Sequence, residues 1–242
     1  MPLQTIASQR LIVALDVPDV DHARQMVATL NGAVSFFKIG LTLQLAEGVG
    51  ELIRELIDGG KQVFLDYKYY DIEATLRRAV ERAAQLGVSF LTIHGSGKLI
   101  RAAVEGRAQQ PLKLFTVTIL TSMDKEDIAE LGYTAHTVEQ LVLFRARKAL
   151  EAGCDGVIAS GEEAKQIKEL THNKLLVVTP GIRRDIHPAD DQKRRTGPAS
   201  AIHAGADYLV VGRPIIAAPD PRSEAVSFVE EMQQAFDSRA SR

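Results

Sequence analysis

The 242-residue chain has one cysteine, Cys154, so no intramolecular disulfide framework is possible and a reducing compartment is expected. It has no excess of either charge. Lys plus Arg number 29 against 31 Asp plus Glu, a formal net charge of -2, which argues against a nucleic-acid binder acting through bulk charge. No apolar run approaches the roughly 18 residues needed to cross a bilayer, so no membrane role is expected. The opening MPLQTIASQRLIVALDV lacks the basic stretch, apolar core and small-residue cleavage site of a signal peptide, and the expected location is the cytoplasm. His136, His172, His187 and His203 are scattered without ligand spacing, so no metal is assigned. A Gly-x-Gly-x-x-Gly turn is missing after the first apolar run, where ALDVPDVDHA stands instead, which disfavours a dinucleotide-binding sheet.

What the chain does have is alternation. Short, continuously apolar runs occur at Leu11–Val17, Phe36–Leu41, Gln62–Lys68, Phe90–His94, Leu114–Leu120, Gly156–Ser160, Leu175–Pro180 and Tyr208–Gly212. Runs of that kind suit strands buried on both faces of a parallel sheet. Amphipathic stretches lie between them, as at Glu47–Ile57, Thr75–Leu86 and Val138–Leu150, and Ala225–Phe236 reads as a closing helix. Gly32, Gly60, Gly87, Gly153 and Gly205 each sit just before a strand, where a helix C-terminus calls for positive φ. Eight strand–helix units in about 240 residues predict an α/β fold, a (β/α)8 TIM barrel in one domain spanning 1–242. Two irregular stretches follow strands and belong on the C-terminal rim. Leu120–Thr137 is polar with room for a short helix, and Gly181–Pro198 is long, charged and rich in breakers.

The chemistry concentrates in FLDYKYYD. Asp66 and Lys68 stand two apart near a strand end and are expected to share a face, and Asp71 suits the N-cap of the next helix. Asp16 and Lys38 are charges embedded in other apolar runs. Burying such groups alone costs several kcal/mol, so the five charges are expected to form one alternating cluster. A lysine between carboxylates keeps its charged form and makes a better proton donor than Schiff-base nucleophile. The carboxylates could repel an anionic substrate group, bond sugar hydroxyls or bind a metal, or the network could merely close the barrel mouth. Gly212 and Arg213 in VVGRPI, with Pro180, Gly181 and Arg183 in TPGIR, place two cations at adjacent strand ends where these barrels hold phosphate. Cys154 reads as a small buried filler, His94 as a rim-loop residue, and Tyr67, Tyr69 and Tyr70 as packing or subunit-contact residues.

Asp66-x-Lys68-x-x-Asp71-Ile72, together with ALDV at Asp16, FFKIG at Lys38, VTILTS, VTPGIR, the DDQ of Asp190–Gln192 and VVGRPI, resembles the orotidine 5′-phosphate decarboxylases of the bacterial type. The matches run in order from Asp16 to Ile215. The resemblance implies decarboxylation of orotidine 5′-phosphate to UMP and CO2, without cofactor or metal, as the last step of de novo pyrimidine synthesis. It implies that Lys68 protonates C6, that Asp66 lies beside the departing carboxylate, and that Asp71 and Thr75 cross to the partner site of a homodimer. It further implies Asp16 and Lys38 on the ribose hydroxyls, Thr121 near the pyrimidine with Ser122 beside it, and Gln192 and Arg213 on the phosphate with Arg183 nearby. The Gly181–Pro198 loop would act as a lid. The chain departs from the common pattern at Glu73-Ala74, where many members read Pro-Asn, and at Gly197, where many have Thr. Metal-using sugar-phosphate lyases share Asp-x-Lys-x-x-Asp but tend to have Glu where Lys38 stands. A catalytically silent nucleotide-binding barrel is the remaining alternative.

Overall fold

The computed structural model describes residues 7–184, 194 and 196–240. Eight parallel strands close in sequence order into a barrel. They are β1 (Leu11–Ala14), β2 (Phe36–Ile39), β3 (Gln62–Tyr69), β4 (Phe90–Ile93), β5 (Lys113–Val117), β6 (Gly156–Ile158), β7 (Leu176–Thr179) and β8 (Tyr208–Val211). The barrel closes where β1 meets β8, with Ile12 opposite Val210. Every strand read from the sequence is present. Their C-terminal ends are mostly shorter than the apolar runs, because the last residues leave the sheet to form the rim.

The helices are α1 (Val20–Thr29), α2 (Leu41–Gln44), α3 (Val49–Asp58), α4 (Glu73–Gln85), α5 (Gly97–Arg107), α6 (Lys125–Glu130), α7 (Val138–Glu151), α8 (Ala164–Leu170), α9 (Pro198–His203), α10 (Arg213–Ile216) and α11 (Pro221–Ala240). The short helix expected in the polar stretch after β5 is α6. Asp124 caps it by accepting the amides of Glu126 and Asp127. All five glycines placed before strands have positive φ, from 70° at Gly60 to 113° at Gly205. The pieces AGCDG (152–156) and AGADY (204–208) share a second device. After each helix-ending glycine, an aspartate accepts an amide of a neighbouring strand: Asp155 from Leu114 at 2.9 Å and Asp207 from Val177 at 2.8 Å. Arg107 and Lys168 balance these two carboxylates. They sit at strand entries, the end of a barrel that serves stability.

Inside the barrel, Phe36, Phe64, Phe90, Phe115 and Tyr208 pack as an aromatic plug, with ring centroids 4.5–6.3 Å apart. Gly156 makes room for it, since a Cβ there would lie 2.5 Å from the Phe115 ring. The plug is the floor beneath the rim. Moving up β2, β3 and β4 by two residues, the inward positions change from Phe36, Phe64 and Phe90 to Lys38, Asp66 and Thr92. The period of two that builds the core thus delivers charge to the mouth.

Candidate active site

β3 does not run straight to the rim. Its pairing with β4 shifts register between Leu65 and Tyr69, and Lys68 takes φ 49°, left-handed for a non-glycine residue. Such backbone is costly and persists only where its surroundings fix it. Here Thr92 on β4, fully buried, fixes it. The Lys68 amide donates to Thr92 Oγ1 at 2.9 Å, and that hydroxyl donates to Asp66 Oδ1 at 2.9 Å. Asp66 and Lys68 therefore converge through a bulge, not through the simple alternation expected of a regular strand.

Four of the five expected charges form one chain of contacts. Lys68 Nζ donates to Asp66 Oδ1 at 3.0 Å. Asp66 Oδ2 lies 3.5 Å from Lys38 Nζ, which donates to Asp16 Oδ1 at 3.2 Å. Burial deepens toward the centre: side-chain exposure is 47% at Asp16, 10% at Lys38, 18% at Asp66 and 32% at Lys68. Burial alone would push the Asp66 carboxyl up. The charges of Lys38 and Lys68 and the hydrogen bonds from Lys68 and Thr92 outweigh it and hold the pKa below 3.8. Asp66 is thus an anion flanked by two cations. The His94 pKa is lowered too, by burial first and then by the charges of Arg145 and Lys68, which for an imidazole favours the neutral form.

Asp71 does not join this cluster within its own chain. It is exposed, and its carboxylate accepts the adjacent Ile72 amide at 2.7 Å. Nor is it the helix N-cap, a role taken by Ile72. The β3 bulge and the bend after Tyr69 carry the segment outward, so spacing along the sequence misplaced it. Thr75 is also exposed, on the first turn of α4. The missing Pro-Asn does not prevent that helix from starting. Glu73 opens it with the charge sign its N-terminus favours and pairs with Lys98 at 2.7 Å.

A cavity of about 400 Å³ opens over the aromatic floor. Asp16, Lys38 and Asp66 form one wall; Pro180, Gly181, Arg183, Gly212 and Arg213 form the other, with Ala14, Phe64, Ile158 and Val210 below. Two carboxylates and one lysine thus share with two arginines a space sized for a small anion, and Lys68 reaches it only through its hydrogen bond to Asp66. Thr121 is buried just beyond β5, with Ser122 partly exposed beside it. Gln192 and most of the expected lid lie outside the described residues. Among the described residues no group of three His, Cys, Asp or Glu is placed to hold a metal ion, and no helix is long and apolar enough to cross a membrane. Cys154 is buried, with its thiol pushed up to about 12 by desolvation, and its Sγ donates to the Leu114 carbonyl.

Two residues of the site escape sequence reading. Thr92 carried a signal, a hydroxyl inside a four-residue apolar strand. Gly40 carried none. A Cβ there would lie 2.8 Å from Lys38 Nζ and 3.2 Å from Asp16 Oδ1, so glycine leaves the space that the ion pair fills.

A second cavity, about 820 Å³, is the one that Lys68 lines. His94, Tyr70, Tyr133 and Phe144 line it together with Lys98, Arg101, Arg145 and Lys148. Tyr70, Ile72, Leu131 and Phe144 are 57–71% exposed, and Tyr70 and Phe144 stand at its edge. Tyr67 and Tyr69 instead pack against the core outside the barrel.

The model of the orotidine 5′-phosphate decarboxylase / HUMPS family matches residues 9–228. A protein of Nitrobacter winogradskyi named orotidine 5′-phosphate decarboxylase is 52% identical over 231 residues, covering 96% of this chain and 95% of its own. One of the same name from Caulobacter vibrioides is 45% identical, covering 93% and 98%. The crystal structure of orotidine 5′-phosphate decarboxylase from Lactobacillus acidophilus superposes with a TM-score of 0.81 at 32% identity, covering 93% of this chain and 99% of that one. On fold, site and kinship together, the chain belongs to the orotidine 5′-phosphate decarboxylase / HUMPS family.

Proposed function

We propose that the chain decarboxylates orotidine 5′-phosphate to UMP and CO2, the last step of de novo pyrimidine synthesis, as a single-domain cytoplasmic enzyme that uses no metal or cofactor. The observation that carries this reading is the alternating chain Asp16–Lys38–Asp66–Lys68, whose first three members line one cavity with two arginines while Lys68 is hydrogen-bonded to Asp66 at its edge.

The substrate phosphate lies against Arg183, Gly212 and Arg213, with Gln192 as a further donor, and Pro180 shapes that end. Asp16 and Lys38 bond the ribose hydroxyls, and Thr121 meets the pyrimidine. The C6 carboxylate then lies beside Asp66, whose depressed pKa keeps it ionised at neutral pH. Two anions side by side repel, and the repulsion vanishes as neutral CO2 departs. The C6–carboxylate bond breaks, its electron pair remains on C6, and Lys68 delivers a proton there. No ring position delocalises that pair, so a fixed ammonium at the carbon is the effective stabiliser. The bulge and Thr92 fix the Lys68 backbone before substrate arrives, so little reorganisation is needed at the moment of reaction. Phosphate binding far from C6 supplies free energy that can be directed into orienting the reacting end.

The active form is a homodimer in which Asp71 and Thr75 reach the partner's site. Two observations support this. Asp71 is exposed at the tip of a segment flanked by exposed Tyr70 and Ile72. The groove that Lys68 lines holds four further cations and one carboxylate, Glu151, which pairs with Lys148 at 2.7 Å, and the remaining positive excess fits an acidic tip.

Purified protein with orotidine 5′-phosphate, followed by loss of orotidine absorbance with and without EDTA, tests the reading. Turnover unaffected by EDTA supports it. EDTA-sensitive turnover would favour the metal-using lyases, and UMP binding without turnover would favour a silent barrel.

A further inference from the structure

We propose that Arg194, held by Glu163, is a positioning residue that fixes the rim segment Thr118–Thr121 beneath the pyrimidine end of the substrate; this deepens the decarboxylase reading and rests on it. Arg194 lies on the connection between β7 and α9, yet its donors reach the segment beyond β5. Its amide donates to the Thr121 carbonyl at 3.2 Å, and Nη2 donates to the carbonyls of Leu120 at 2.9 Å and Ile119 at 3.2 Å. Arg145 on α7 donates to the fourth carbonyl, that of Thr118. Four consecutive carbonyls are thus occupied by donors from two arginines. Rim segments ordinarily give such carbonyls to water and stay mobile.

The guanidinium is nearly buried, with a side-chain exposure of 11%. Its charge is balanced by Glu163, at 6%, which accepts from Nη1 at the N-cap of α8. Without that carboxylate the buried cation would be strongly unfavourable. Arg194 is also tied to the phosphate wall. The Arg183 amide donates to the Thr196 carbonyl at 3.1 Å, and Ile182 bridges to Thr196. Thr196 in turn seats against Gly161, where a Cβ would lie 2.7 Å from Oγ1. Two positions close in the chain therefore bond opposite sides of the site: Thr196 the backbone of Arg183, on the phosphate side, and Arg194 that of Thr121, on the base side. The planar fork of arginine can serve two carbonyls and a carboxylate at once; the lysine ammonium is a poor substitute.

The test is titration of the intact protein with UMP and with ribose 5-phosphate, which lacks the base. Arg194→Lys and Glu163→Gln should weaken UMP about tenfold, the weight of one charge-assisted hydrogen bond, and ribose 5-phosphate less than about threefold. Gly161→Ala leaves both charges in place but pushes Thr196 outward. It should give the same selective loss in milder form, and serves if an Arg194 variant folds poorly. Equal losses for the two ligands would overturn the inference in favour of direct phosphate contact. Unchanged affinity for both in folded variants would reduce the pair to a stability role and also overturn it. Wild-type turnover is read separately: its absence counts against the decarboxylase reading, whereas the ratio of the two affinities decides the role of Arg194.

Discussion

Asp66→Asn keeps the volume of the side chain and removes its charge. Oδ1 accepts from Lys68 at 3.0 Å and from Thr92 at 2.9 Å, and Oδ2 lies 3.5 Å from Lys38. The substitution leaves two ammonium groups near each other with no anion between them. Lys38 is 10% exposed, so water cannot replace Asp66 and only Asp16, at 3.2 Å, remains as its partner; Lys68 is 32% exposed and is partly rehydrated. Breaking a buried pair costs about 3–5 kcal/mol, and the partial exposure of Lys68 sets the expectation at the lower end, about 3 kcal/mol. For a chain of this length about 1 kcal/mol moves Tm by roughly 2–4 °C, so calorimetry should show a drop of about 6–12 °C. Lys38→Met in the same molecule removes the more buried of the two ammonium groups, left with Asp16 alone as partner, and should recover at least about half of the loss. The pH dependence has a definite sign. The folded pKa of Asp66 lies below 3.8, so its stabilisation is present above that value and is lost as pH falls through the folded pKa. The Tm gap between wild type and Asp66→Asn should therefore shrink below pH 3.8. A melting temperature within about 2 °C of wild type at neutral pH, or no recovery in the double variant, would refute the view that these charges depend on one another.

Three further outcomes follow from the geometry. Gly40→Ala should lower kcat/KM about tenfold and lower Tm by less than Asp66→Asn does, because the added methyl displaces the end of Lys38 while Asp66 keeps Lys68 and Thr92; unchanged kinetics would contradict the positional role of that ammonium. Arg213→Ala should cost orotidine 5′-phosphate turnover about 100-fold and the bare nucleoside less than about threefold, whereas equal losses would contradict its place on the phosphate. Mixing Lys68→Ala with Asp71→Ala subunits should restore up to about a quarter of wild-type activity if sites cross a two-fold dimer; verified heterodimers without activity would place each site within one chain.

Much of the fold was legible because its signals are local. Continuous apolar runs marked all eight strands, and the glycines before five of them do adopt positive φ, since a helix-to-strand turn imposes the same requirement wherever it occurs. Four embedded charges were legible for a similar reason: an ion in an apolar strand needs a partner. The rest depends on relations between strands. Alternation along β3 cannot reveal a register shift against β4, so neither the left-handed Lys68 nor the outward course of Asp71 was visible. Gly40 and Thr92 matter through what approaches them from elsewhere, and a single sequence does not show who approaches whom. Arg194 lay unnoticed in a charged, breaker-rich stretch where every arginine resembles a solvated one.

The central claim is that the Lys68 ammonium, and not the cavity alone, drives decarboxylation. Its most direct test is Lys68→Ala, with turnover of orotidine 5′-phosphate and affinity for UMP measured on the same preparation. Turnover should fall by more than about 10³-fold, the combined weight of a lost proton donor and a lost fixed charge, while UMP affinity stays within about tenfold of wild type. Turnover near the wild-type level in a variant that still binds UMP would contradict the account.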